Sequence, residues 1–377
     1  MTGFLLGSAG MFATMYSTQA ILPELGREFG VGPARAGLSI SVVVGAVAVG
    51  VWLWGPLSDH IGRKRSLVLA SGLLVVPSVA AAAAPSFEAL LVCRAAQGLC
   101  MPGLLAVGVP YVLEAFAGLG GRAMGAYVLS LVVGGLVGRV GVALVAAVSD
   151  WRVAIGALAV LPAAAAVIMR RGLPDTDPPA RGGGVRAQLR NGQLLRIAIA
   201  AGALFFTFVG TFSYGIYRLQ RQPFGYGTAV SSLIFLLWAL GVAGPRAGRL
   251  AERIGWRRTA LLCVACIGTG LLITLPDWLP TLVLGLGLIT VAMFSGVTAL
   301  QLGIGEAAPV DRGAASAVYF CVYYGSGALG GYIPGLAWQT WHWTGVVGAG
   351  LAAAALAGAS LSGRSVRRSA RDARQTG

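Results

Sequence analysis

Long apolar runs separated by short charged clusters dominate this chain. Asp, Glu, Lys and Arg are missing from residues 1–23, 36–58, 66–87, 197–217, 222–245, 278–305 and 313–363. A helix of about 20 apolar residues crosses a bilayer, whereas a barrel strand alternates over about 10 residues. These runs are continuously apolar, so they predict helices. The stretch 313–363 is too long for one span, and Pro334 with Trp338, Trp341 and Trp343 predicts an interfacial turn inside it. Helices are expected at 3–22, 36–56, 66–84, 88–113, 122–147, 152–170, 196–217, 228–246, 259–275, 279–303, 314–335 and 343–362. The predicted fold class is an all-α integral membrane protein, with twelve transmembrane helices in two pseudo-symmetric six-helix bundles.

A repeated polar loop supports the duplication. Residues 55–65 read GPLSDHIGRKR and residues 248–258 read GRLAERIGWRR. A shift of 193 positions lays Gly55 on Gly248, Asp59 on Glu252, Gly62 on Gly255 and Lys64 on Arg257. Glu114 and Glu306, Arg122 and Arg312, and Trp151 and Trp341 recur at nearly the same spacing. Duplicated halves are a common plan for membrane carriers. The expected units are an N-terminal bundle at 1–170, a linker at 171–195, and a C-terminal bundle with a basic tail at 196–377. The linker carries Pro174, Pro178, Pro179 and the triplet Gly182–Gly184, a composition that favours an extended, solvated segment.

Composition changes the picture in two ways. The chain is 56% apolar and 11% charged, far from the roughly 25% charged of a soluble domain. Its net charge of +15 resembles a nucleic-acid footprint, but the distribution rejects that. Of 28 basic residues, 21 fall in the even-numbered gaps and the tail, 5 in the odd-numbered gaps, and 2 (Arg94 and Arg139) inside helices. Lys and Arg accumulate in cytoplasmic loops. Both termini are therefore expected in the cytoplasm of a bacterium, with the chain in its cytoplasmic membrane and the arginines touching anionic lipid. Residues 3–22 read as a retained span rather than a signal peptide, because a signal peptide carries a basic lead and a shorter apolar core. Cys263-x-x-Cys266 has no second pair and no nearby His, so it reads as packing rather than a metal or redox site.

The loop GPLSDHIGRKR resembles the signature between helices 2 and 3 of the major facilitator superfamily, with His60 in place of the usual first basic residue. Arg94-x-x-Gln97-Gly98 resembles its helix-4 signature. Gly134-Gly135-Leu136-Val137-Gly138-Arg139 resembles its helix-5 signature, with Arg139 where drug:proton antiporters carry proline. That variant, with the opening YSTQAILP at 16–23, is similar to bacterial arabinose- and sugar-efflux members.

The resemblance implies secondary transport by alternating access. It assigns Asp59, Gly62, Arg63 and Glu114 to a gating latch on the cytoplasmic side, with Glu252, Arg253 and Glu306 as a weaker mirror. The competing reading is a solvated loop that only sets topology. Helices 1, 4, 7 and 10 line the cavity in this superfamily, which nominates Tyr16, Gln19, Gln97, Thr207, Thr211, Tyr214, Thr298 and Gln301, with Tyr323 and Tyr324 from helix 11. Each also reads as an interhelical hydrogen-bonding or interface residue. Arg94 is implied near the proton path, or else bonds backbone carbonyls of helix 1. Arg139 either caps a kinked helix or faces the cavity. Glycines at 134, 138 and 141, and at 327, 331 and 335, are spaced for close helix approach.

None of the 13 acidic residues falls near the middle of a span. Two buried arginines without such partners point to an anionic substrate. The leading expectation is proton-coupled efflux of a small polar or amphipathic molecule by a monomer, without cofactor, metal or nucleic acid. The alternative is a uniporter or importer of an anionic metabolite, and after it a non-transporting sensor. No Walker A motif, H-E-x-x-H or Ser-His-Asp set is present, which argues against ATP drive within the chain and against an enzyme.

Overall fold

The computed structural model describes residues 1–116, 118, 121–175, 185–308 and 312–363. The middle of the expected linker, 176–184, and the basic tail from 364 lie outside the described residues. The described residues are helical, with no strand among them. Among the described residues nine helices are long and apolar enough to cross a membrane, and one of these is a merged pair. Large apolar side chains face outward where lipid would lie, as with Val76 at 71% exposure and Val160 at 67%.

The spans form in chain order. Helix α1 covers Thr2–Tyr16, then breaks into a 3-10 turn at Gln19–Ile21 and a short helix at Leu22–Glu28. Helices α2 (Pro33–Ile61) and α3 (Arg63–Ala82) flank the first polar loop. Helix α4 runs Phe87–Ala115 with a break at Met101, just before Pro102. Helix α5 (Gly121–Val148) contains a π-helical segment at Val137–Gly141. Helix α6 is Trp151–Gly172 and α7 is Gly192–Gln220. Helix α8 joins Thr228–Ser232, a 3-10 stretch at Leu233–Ala243, and Gly244–Ile254. Helices α9 (Trp256–Ile273) and α10 (Leu279–Ala307) follow. The last continuous helix, Arg312–Ser362, is broken at His342 into α11 (312–341) and α12 (343–362).

That break corrects the expected position of the last turn. Pro334 lies inside α11 instead of ending it. Its ring fits against Gly210 of α7, where a Cβ would stand 2.7 Å from Pro334 Cγ. A neighbouring helix that accommodates the ring lets a span continue through proline.

Glycine sets two of the closest approaches. A Cβ on Gly134 or Gly138 of α5 would lie 2.1 Å from the carbonyl oxygens of Ala9 and Ala13, so α5 meets α1 backbone to backbone. A Cβ on Gly37 of α2 would lie 2.2 Å from Gly331 O of α11. The first contact is inside one half; the second joins the halves.

Candidate functional site

Hydrogen bonds between the halves concentrate at one end. Here the loop end is the one bearing residues 55–65 and 248–258, and the far end is the opposite one. The hydrogen bonds that cross from the first six spans to the last six, among the described residues, all lie toward the far end. Gln19 Nε2 donates to Ser213 Oγ at 2.9 Å. Thr228 Oγ1 donates to Glu24 Oε1. Tyr214 OH, which donates to Gly331 O at 2.7 Å within its own half, reaches Pro33 O of the first half at 3.5 Å. Burial raises the Glu24 carboxyl above the usual carboxylate range, while backbone bonding, Arg27 and Gln220 pull it the other way.

The loop end is held together within each half. Arg63 Nη2 meets Glu114 Oε1 at 2.7 Å, and Lys64 Nζ meets Asp175 Oδ2 at 3.2 Å. In the second copy Trp256 Nε1 donates to Glu306 Oε2 at 2.8 Å. Arg257 Nε donates to Leu361 O at 2.5 Å, and its Nη2 to Gly363 O at 2.9 Å. Gly62 and Gly255 make the same turn at φ 87° and 89°, backbone that glycine alone adopts easily. Asp59, Glu252 and Arg253 are exposed and make no ion pair or hydrogen bond among the described residues.

Arg94 is 1% exposed, and the break in α1 explains how it is tolerated. A helix end leaves carbonyls without intrahelical partners and carries a partial negative charge. Arg94 takes these up: Nη1 donates to Thr14 O at 2.7 Å and Nη2 to Met15 O at 2.5 Å. Its Nε donates to Ser39 O of α2 at 2.9 Å, and Nη1 also to Gln97 Oε1 at 2.7 Å. Gln97 Nε2 continues to Ser78 Oγ of α3 at 3.2 Å. Arg94 and Gln97 thus clamp α1 to α4 together, and their hydrogen-bond partners among the described residues all belong to the first half.

Arg139 sits differently. It lies in the π-helical segment of α5, 1% exposed, a type of helix irregularity frequent at functional sites. Its guanidinium lies 3.8 Å from the Tyr16 ring centre and 4.1 Å from the Trp238 ring centre, two rings set edge to face 5.6 Å apart, with Phe235 at 5.3 Å. Nε donates to Gln19 Oε1 at 2.6 Å and Nη1 to Gly135 O at 2.9 Å. Through Gln19 the chain of bonds reaches Ser213. Trp238 and Phe235 belong to α8 and Ser213 to α7, so Arg139 is an N-half cation enclosed by the C half.

The remaining nominated residues scatter. Thr207 and Thr211 donate to carbonyls of their own helix, Ala203 O at 3.0 Å and Thr207 O at 2.8 Å. Thr207 also reaches Gly350 O of α12 at 3.4 Å, and Tyr214 reaches α11. Thr207 and Thr211 therefore pack inside the second half, while Tyr214 also reaches the first half at Pro33. Ser213, on the next face, makes the contact to Gln19 instead. Tyr323 stacks on Phe205 at 4.2 Å, Thr298 donates to Phe294 O at 2.8 Å, and Gln301 is exposed on α10. Sequence reasoning missed Trp238, Phe235 and Ser213. The first two carry no polar mark inside an apolar run, and the third differs from its nominated neighbours only by helical phase.

This architecture has close relatives. The sequence profile of the Major Facilitator Superfamily matches residues 4–331. The uncharacterized MFS-type transporter YybF of Bacillus subtilis is 31% identical over 355 residues, 92% of this chain and 88% of that one. The inner membrane transport protein YnfM of Escherichia coli is 30% identical over 353 residues, 90% of this chain and 85% of that one. A bacterial homolog to the human lysosomal transporter Spinster, in an inward-facing and occupied conformation, superposes with a TM-score of 0.73 over 96% of this chain and 95% of that one. At 14% identity that likeness is one of fold. The protein is a multi-pass membrane transporter rather than an enzyme, and the chain belongs to the Major Facilitator Superfamily.

Proposed function

We propose that this protein moves a small amphipathic molecule across a bacterial cytoplasmic membrane by alternating access, as a monomer with both termini in the cytoplasm. Residues 1–170 and 196–377 move as two bodies joined by 171–195. The observation that carries the reading is the one-sided closure: the bonds between halves lie toward the far end, and at the loop end each half bonds within itself. Such a molecule is closed on one side and ready to exchange on the other. With the basic loops placed inside, this is the state open to the cytoplasm.

In this reading the loop residues Asp59, Gly62, Arg63 and Glu114, with Glu252, Arg253 and Glu306, govern closure of the cytoplasmic side. Asp59 then finds a partner on the other half only when that side shuts. The family resemblance favours outward transport in exchange for protons. Import or uniport of an organic anion is the second reading, and Arg139, a buried cation without a carboxylate partner among the described residues, favours it.

Spin labels test the motion. One pair at His60 and Arg258 reports the loop end, and one at Val148 and Val230 the far end. Each pair is expected to show two distance populations that shift in opposite senses when substrate or pH changes. One fixed distance at both ends sinks alternating access. Flux into proteoliposomes that ignores an imposed pH gradient sinks the exchange with protons.

A further inference from the structure

Two hydrogen-bond donors from opposite halves converge beside Gly135. Arg139 Nη1 would lie 3.0 Å, and Trp238 Nε1 3.6 Å, from a Cβ placed on that glycine. Trp238 is 4% exposed, and its indole N–H has no hydrogen-bond partner among the described residues. A buried donor left unpaired is costly, and in native structures it usually marks an unfilled requirement. The guanidinium beside it carries a full charge in a membrane span, where charge is expensive and tied to function. Its Nε donates to Gln19 Oε1 and its Nη1 to Gly135 O, so no carboxylate among the described residues balances the charge, and the rings of Tyr16 and Trp238 lie against it 5.6 Å apart.

An unpaired donor beside a buried cation that no carboxylate balances specifies an anion. A guanidinium with a second donor beside it suits a carboxylate. Around Trp238 the walls are apolar: Phe208 stands at 5.0 Å and Phe294 at 5.2 Å between ring centroids. We propose that Arg139 and the Trp238 indole N–H, beside Gly135, form the binding site for the carboxylate of a small organic acid whose body is aromatic or apolar. The site is complete only while α5 and α8 are together at the far end, because each half supplies one donor. This proposal rests on the transport reading and names the substrate class for it.

Isothermal titration and thermal shift on the full-length protein in nanodiscs test the site. The probes are benzoate, its neutral isostere benzamide, and the cation benzylamine. Benzoate is expected to bind and stabilise the wild type, and the other two are not. Arg139→Gln should abolish the benzoate response. Trp238→Phe keeps a ring and loses the N–H, and should weaken benzoate about tenfold, as expected for a hydrogen bond to a charged group. Gly135→Ala sets a Cβ against both donors and should weaken it further. If Arg139→Gln does not fold, the Trp238→Phe and Gly135→Ala titrations decide. No response to benzoate, an equal response to benzamide, or full benzoate affinity in these variants overturns the carboxylate site. The spin-label distances separate this from failure of the transport reading: moving ends without benzoate binding refute the anion site alone, while immobile ends refute transport.

Discussion

The two copies of the polar loop reach one geometry with different chemistry. Arg63 opens α3 and bonds Glu114 at the end of α4; Trp256 opens α9 and bonds Glu306 at the end of α10. The next residue repeats the pattern. Lys64 ties α3 to Asp175 just beyond α6, and Arg257 ties α9 to carbonyls at the end of α12. Gly62 and Gly255 hold the same turn. The difference teaches that the fold requires a donor at this position and leaves its charge free. Both bonds lie within a half, so each first stiffens its own bundle, and a swinging latch would have to be carried by the unpaired Asp59.

The largest predicted asymmetry comes from removing the acceptors. Arg63 is 8% exposed and already has one nitrogen unpaired. Glu114→Ala strands a buried charge, and a loss of about 3 kcal/mol is expected, at the low end for such pairs because the carboxylate is half-exposed. Glu306→Ala strands only an indole N–H, for about 1 kcal/mol. Apparent unfolding temperatures of the two variants measure the ratio. Equal shifts would show that charge adds nothing at the first copy.

The turn should behave alike in both copies. At φ 87° with ψ 154°, and φ 89° with ψ 143°, only glycine is at ease. Gly62→Ala and Gly255→Ala are each expected to cost about 2 kcal/mol, since this region strains any residue with a Cβ. A cost at one copy alone would mean that the second turn has relaxed, and the equivalence of the loops would fail.

These parallels were unevenly legible in the sequence. The shared turn and the pairing of Arg63 with Glu114 could be read, because glycine and opposite charges at helix ends mark themselves. Trp256 could be read only as a departure, since an indole donor carries no charge to advertise its partner. The seam was harder still. Arg139 stood out as a charge in an apolar run, but Trp238 and Phe235, which enclose it, look like any lipid-facing aromatics until the halves are brought together. Arg94 was legible as an outlier, and the reading that bonds it to backbone carbonyls of helix 1 matches Thr14 O and Met15 O, although the continuous apolar run conceals the break in α1 near Ser17. Helix boundaries within 313–363 shifted for a similar reason, because Pro334 is accommodated by Gly210 on a distant helix.

A gentler substitution isolates the donor of the second copy. Trp256 lies over Gly303, where a Cβ would stand 2.9 Å from its ring, so the side chain both packs and bonds. Trp256→Phe keeps much of the packing and removes the N–H. A loss of about 1 kcal/mol is expected, the net value of a neutral hydrogen bond. A much larger loss would assign the residue to packing and demote the bond.

The smallest effect separates the two chemistries most cleanly. Salt screens partly exposed ion pairs, with a Debye length of about 10 Å at 0.1 M and about 3 Å at 1 M. The Arg63–Glu114 pair is open to this on its glutamate side, at 42% exposure. Raising salt should therefore remove about 0.5 kcal/mol of its contribution, within the range of exposed pairs. The Trp256–Glu306 bond has a neutral donor and should hold steady. Unfolding in low and high salt, on the wild type, Glu114→Ala and Glu306→Ala, extracts the two coupling differences and cancels the general effect of salt on the protein. The expected result is that the cost of Glu114→Ala shrinks with salt and that of Glu306→Ala does not. Equal salt responses would show that the first pair works as a neutral bond does, and that the substitution of Trp256 for an arginine has changed nothing the protein uses.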